Sequence, residues 1–203
     1  MKDQAYTPAQ ASAIADLPLK AIHKLIDSRL IHPRWLRIGK ATYRVLSQEQ
    51  LIYLRLEAEG VRLLPLVQRR EVAKAVEAGA DVVKVSKSSA LIVQVKPARQ
   101  KVRQGLLRLR KAEQMIVSDP EIMRGAPVYR GTRIPVGLVA DMLRQGATVD
   151  EIVSGYPALD REKVELAPLY VNAFPRRGRP VQRPWANGKP VRVSRHALSE
   201  AAK

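Results

Sequence analysis

The sequence predicts an α+β fold, mainly α-helical with small β hairpins. Apolar residues recur at helical spacing behind cap residues. β-prone runs are short and come in pairs joined by turn residues. After Pro175 the composition turns to Pro, Gly and Arg, which cannot build a core. The chain divides into four parts, residues 1–60, 61–115, 116–174 and 175–203.

In the first part, Thr7 precedes Pro8 as an N-cap before a first-turn proline. Ala9, Ala11, Ala13, Ile14 and Leu17 carry a short helix that stops near Asp16. Pro18 opens a second helix in which Leu19, Ile22, Leu25 and Ile26 share one face, leaving Lys20, His23, Lys24 and Asp27 toward solvent. Residues 35–38 and 42–45 are β-prone runs around Gly39-Lys40-Ala41, a hairpin bearing Arg34, Arg37, Lys40 and Arg44. Ser47 with Gln50 caps the next helix, with Leu51, Ile52, Leu54 and Leu56 on its apolar side. This is the element order of a winged helix-turn-helix. That order, and the run I-H-K-L-I-D-S-R-L-I-H-P, resemble the start of MerR-type regulators and excisionases.

A helix places side chains at base edges in the major groove, and cations beside it neutralise phosphates. Lys20, His23 and Lys24 are the candidate readers; Arg34, Arg37, Lys40 and Arg44 are the candidate backbone grips. His23 and His32 have no metal-ligand partner at useful spacing, and no cofactor is expected.

The second part opens with a helix whose apolar positions are Val67, Val72 and Val76, ended by Ala78-Gly79-Ala80. Val82–Val85 and Leu91–Val95 form a hairpin too apolar to stand alone. It pairs either with a strand near Val128 or with its copy in a second subunit, and a homodimer is preferred because such proteins read palindromic sites in pairs. Residues 96–115 carry seven Lys or Arg and one acid. Val102, Leu106, Leu107 and Leu109 give a ragged stripe interrupted by Gly105. This is a basic connecting helix, lying along phosphates or simply solvated.

In the third part, residues 118–136 hold three prolines, two glycines and three arginines. Gly125 and Pro127 predict a turn before a strand around Val128–Arg130, and Gly131-Thr132 a reversal into Ile134-Pro135-Val136, making a hairpin. Three helices follow: one with Leu138, Val139, Met142 and Leu143 that stops at Gly146, one capped by Thr148 and Glu151, and one opened by Asp160. The pattern S-D-P-E-I-x-x-G-x-P-V-x-x-G-T-R-I-P-V, then T-x-D-E-I-x-x-x-Y-P-x-L, closely resembles a prokaryotic family of VapB-like antitoxins from type II toxin–antitoxin pairs. The likeness runs from about Ile116 to Phe174. It implies a helix-turn-helix-like module encoded beside a PIN-type (VapC-like) toxin, a metal-dependent ribonuclease. Pro168 departs from the pattern, and a kink or restart near Leu169 is expected.

The fourth part has eight Lys or Arg, one acid, and Trp185 as its large aromatic residue. Antitoxins of this type commonly carry a C-terminal arm that wraps the toxin, so the resemblance implies toxin binding here. An arginine in an extended arm pairs well with the carboxylates of a metal nuclease site. Arg176, Arg177, Arg179 and Arg183 are the candidate plugs, and Trp185 the candidate anchor. A basic tail that strengthens nucleic-acid binding is the alternative.

The whole chain, 203 residues, carries 36 Lys and Arg against 19 Asp and Glu, a net charge of +17 that points to a polyanionic partner. No run approaches the length of a membrane span and the N-terminus lacks a signal-peptide core, so a cytoplasmic protein is expected. One Phe and two Trp predict aliphatic cores, and zero Cys excludes disulfides. The carboxylate groupings Asp119/Glu121, Asp150/Glu151 and Asp160/Glu162/Glu165 fit turns and helix N-termini better than hydrolysis. Thr132 between Arg130 and Arg133 offers at most a minor anion cradle. The leading expectation is a non-enzymatic antitoxin that represses its own promoter by binding operator DNA and neutralises a ribonuclease; the alternative is a stand-alone MerR- or excisionase-like transcriptional regulator.

Overall fold

The computed structural model describes residues 5–38, 41–85 and 91–175. Among these it has eight α-helices and three antiparallel strand pairs. The chain opens with α1 (Pro8–Ala15), α2 (Leu19–Asp27), the β1 (Arg34–Ile38) and β2 (Ala41–Val45) hairpin, and α3 (Gln48–Ala58). Thr7 and Ser47 both close reciprocal capping boxes, with Gln10 and Gln50. Asp16 ends α1 in a left-handed conformation at φ 56°. Only three residues, Asp16, Leu17 and Pro18, then separate α1 from α2.

The second part differs from expectation in detail. Val61–Leu63 form a 3-10 turn before α4 (Leu66–Glu77). Val72 and Val76 are fully buried but Val67 is exposed, because Pro65 starts the helix with its first turn outside the core. β3 (Val82–Val85) and β4 (Leu91–Gln94) pair only with each other among the described residues, so of the two alternatives the pairing with the Val128 strand does not occur.

α5 (Lys96–Met115) is not a solvated linker. Ala98, Val102, Leu106, Leu109 and Ala112 are buried, and the helix packs on α1, on α3 and on α8 (Arg161–Ala173). Leu107, expected on the apolar stripe, faces solvent. Gly105 is where α1 comes close: a Cβ there would meet Ile14 Cγ2 at 3.2 Å.

The expected hairpin of the third part forms differently. β6 (Val128–Tyr129) pairs with β5 (Ile116–Val117), a strand the sequence did not announce, while the reversal at Gly131 makes only a single bridge between Val128 and Pro135. Pro135 in the returning segment withholds a donor that a longer ladder needs. α6 (Val136–Arg144), α7 (Val149–Gly155) and α8 follow, with Thr148–Glu151 closing a capping box and Asp160 capping α8. The restart expected at Leu169 is absent: α8 continues past Pro168, in its interior, to Ala173, and its packing on α1, α5 and α6 outweighs the one missing N–H.

Two apolar clusters result. The larger runs from Tyr6 to Leu109 and is completed by Ala173; the smaller joins Ile116, Tyr129, Val139, Ile152, Leu159, Val164 and Ala167. Both are largely aliphatic, with Tyr6, Tyr53 and Tyr129 buried as well. α3 is buried on nearly every side, and its Glu57 is only 2% exposed. The carboxylate accepts two 2.9 Å hydrogen bonds from Arg69 of α4 and one from the Tyr53 hydroxyl. Burial pushes the Tyr53 hydroxyl well above the usual phenol range, and the neighbouring Glu57 carboxylate adds to the rise.

Asp160 is held below the usual carboxylate range chiefly by the Lys163 backbone N–H, and Glu151 likewise by the Thr148 backbone N–H. Glu59 is lowered too: burial alone would raise it, but hydrogen bonds from Lys101 and Arg55 outweigh that. A carboxylate with a depressed folded pKa stabilises above its unfolded value and loses that contribution as pH falls through the folded one. The urea midpoint is therefore expected to fall steeply below about pH 4, and Asp160→Asn to flatten that fall. A midpoint unchanged between neutral and strongly acid solution would contradict these placements.

Candidate nucleic-acid interface

α2 presents two faces because Ile22, Leu25 and Ile26 pin one of them to the core. Each fully buried aliphatic side chain contributes about 1.5–3 kcal/mol, which fixes the rotation of the helix. Lys20, His23 and Lys24 consequently all lie on the exposed side, with Asp27 as the acid there. Leu19, expected on the buried face, is 37% exposed because the helix begins with it and its side chain stands outside the first packed turn.

The β1–β2 hairpin follows α2 after a turn in which Arg29 adopts φ 54° and the N–H groups of Leu30 and Ile31 both reach the Leu25 carbonyl. Gln50 of α3 steadies this turn by donating Nε2 to the His32 carbonyl at 2.9 Å. In the hairpin register Trp35 opposes Arg44 and Arg37 opposes Thr42, so these four share one face. Arg34 opposes the buried Val45 on the other face and is engaged within the chain. Of the four expected grips, Arg37 and Arg44 are together, Arg34 is on the other face of the hairpin, and Lys40 lies outside the described residues.

Two residues were missed by the sequence reading. Trp35 is 64% exposed, and the Arg44 guanidinium carbon sits 5.3 Å from its ring centroid, a cation–π pair that holds the arginine outward. The alternation of the hairpin, counted from Val45, was the signal that could have found it. Arg29, exposed and in the left-handed region, adds a cation between α2 and the hairpin. The arrangement sets a basic helix face and a basic, aromatic-bearing hairpin face in one short segment.

Elsewhere several polar and charged side chains serve the fold. Thr132 donates to the Tyr129 carbonyl at 2.9 Å and accepts from the Ile134 N–H, while Arg130 Nε donates to the Gln114 carbonyl, so no anion cradle is assembled there. Asp119 accepts from the Glu121 N–H, and Asp150 pairs with Arg161. The candidate toxin-binding residues Arg176, Arg177, Arg179, Arg183 and Trp185 lie outside the described residues. No helix among the described residues is long and apolar enough to cross a membrane.

Residues 116–171 match the family described as "Protein of unknown function (DUF433)". The uncharacterized protein y4eO of Sinorhizobium fredii (strain NBRC 101917 / NGR234) is 38% identical over 89 residues, 44% of this chain and 40% of that protein. The chain thus spans two-fifths of that relative's length. Among solved structures, that of Rv2018 from Mycobacterium tuberculosis is similar over 80% of this chain and 96% of that one, at 17% identity and a TM-score of 0.31.

Proposed function

We propose that the chain is a DNA-binding antitoxin of a type II toxin–antitoxin pair. Its first part is a winged helix-turn-helix that represses its own promoter, and its C-terminal region neutralises a PIN-type ribonuclease. The observation that carries the DNA-binding half is the shared exposure of Lys20, His23 and Lys24 on α2 and of Arg37 and Arg44 on the adjacent hairpin. A short helix-to-helix turn followed by such a hairpin suits a helix in the major groove with the hairpin on the flanking backbone. The net charge of +17 supplies the long-range attraction. The toxin-binding half rests on the sequence likeness over residues 116–174 and on the arginines with Trp185 beyond Pro175. Two copies pair through the β3–β4 ribbon, whose outer face exposes Val82 and Ile92, and read a palindromic site.

Lys24→Ala and Arg37→Ala are each expected to weaken binding to the DNA upstream of the chain's own gene. If each removes one phosphate contact, the slope of log affinity against log salt flattens by about 0.9. Fluorescence anisotropy across a salt series measures both, and the same titration gives the number of chains per site. Unchanged affinity and slope in both variants would move the DNA surface away from α2 and the hairpin. Co-purification with the product of the neighbouring gene tests the antitoxin half, because a stand-alone regulator brings no such partner.

A further inference from the structure

Trp35 stands 64% exposed on the outer face of the β1–β2 hairpin, while the buried Val45 fixes the inner one. Around it on the outer face are Arg37, Thr42 and Arg44, and no acid. The Arg44 guanidinium carbon lies 5.3 Å from the Trp35 ring centroid. A guanidinium stacked in this way is held in few rotamers and is only weakly hydrated. Gripping phosphates calls for neither property, since a flexible, well-hydrated lysine serves as a point charge. A ring beside a stacked guanidinium suits a narrower place, where apolar walls and hydrogen-bond acceptors lie together.

The connection between α2 and the hairpin indicates where that place is. Six residues, Ser28 to Pro33, join the two elements, and six residues reach at most about 20 Å. Their path is pinned: the Leu30 and Ile31 N–H groups bond the Leu25 carbonyl, and Gln50 holds the His32 carbonyl. With α2 in a major groove, the hairpin therefore meets the same duplex, and the adjoining groove is the minor one. At about 6 Å wide, that groove excludes a two-stranded ribbon but admits single side chains. Its A·T pairs present only acceptors, whereas G·C pairs add an amino group that stands in the way of a guanidinium. A·T tracts are also narrower and more negative, which attracts arginine.

Resting on the DNA-binding half of the proposed function, we propose that Arg44 enters the minor groove beside the α2 site and selects A·T pairs there, aimed by Trp35, whose ring packs on the deoxyribose wall. Arg44 then reads sequence instead of only neutralising a phosphate. Trp35 touches the nucleic acid as well as bracing the hairpin, and its ring trades water for sugar carbons, a gain that salt does not screen. Arg37, two positions along the strand and so about 6.6 Å from Trp35, is left for the flanking phosphate.

The test uses the full chain and the shortest duplex from upstream of its own gene that it binds. Each A·T pair flanking the centre of the site is exchanged for G·C, and then for inosine·C, which has the major groove of G·C and the minor groove of A·T. Expected are a loss of at least about five-fold at one or two flanking pairs with G·C, and recovery with inosine·C. Arg44→Lys should keep the salt slope but lose the discrimination, and Trp35→Ala should diminish it. In a Trp185→Phe chain, whose one remaining tryptophan is Trp35, acrylamide quenching should weaken several-fold when that duplex is added. Binding that Lys24→Ala weakens but no flanking G·C pair alters would overturn this inference alone. So would quenching that DNA leaves unchanged, discrimination that survives Arg44→Lys, or a preference for single strands, which would make Trp35 a base-stacking platform. A chain that binds no duplex from that region would overturn the DNA-binding half of the proposed function together with this inference.

Discussion

Glu57→Ala is expected to cost about 3 kcal/mol of folding stability, the low end of what breaking a buried ion pair removes. The substitution leaves the Tyr53 hydroxyl, in a side chain 1% exposed, without its acceptor, and strips Arg69 of both its hydrogen bonds. Arg69 keeps a 20% exposed side chain, so its guanidinium turns partly to water and recovers some of the loss. That places the effect below the upper end of the range. Tyr53→Phe alone should cost about 1 kcal/mol, because it deletes one hydroxyl while the Arg69–Glu57 pair remains. Urea unfolding at constant slope measures both. A loss for Glu57→Ala no larger than that for Tyr53→Phe would mean that water reaches the pair.

The second large effect concerns function. If the proposed function holds, a chain ended at Pro175 loses all neutralisation of a PIN-type ribonuclease while keeping most of its operator affinity. The truncation spares α8, which closes both apolar clusters, and spares α2 and the hairpin, so the fold and the proposed DNA surface stay intact. It removes Arg176, Arg177, Arg179, Arg183 and Trp185 together. A guanidinium fork set against metal-binding carboxylates forms charge-assisted, often bidentate bonds, and no other part of the proposed inhibitory surface replaces them. Growth of cells carrying the toxin, with anisotropy on operator DNA as control, reads the two halves separately. Full protection by the shortened chain would sink the plug.

Local chemistry made much of the architecture legible. Thr7, Ser47, Thr148 and Asp160 were recognisable as helix starts because a cap acts through atoms within three residues of itself. The exposed face of α2 followed from its apolar spacing in the same way. What escaped depends on distant partners. β5 is two residues long and gains its identity only from β6. Glu57 looks like a solvated charge until Arg69, twelve positions on, is brought to it by α4. Leu19, Val67 and Leu107 fit apolar stripes by spacing, yet no neighbour arrives to cover them. At the candidate site Lys20, His23, Lys24, Arg37 and Arg44 were readable from period alone. Which face of the hairpin Arg34 takes was not: strand alternation, anchored by the buried Val45, sets it opposite Arg37 and Arg44.

Among the described residues the last helix leans on the first: α8 packs along α1, and Ala173 completes the larger cluster. On a ribosome adding about 5–20 residues per second, α1 therefore emerges on the order of ten seconds or more before the helix that covers it. During that interval the nascent chain exposes an unfinished apolar surface, which is covered only once α8 has left the ribosome.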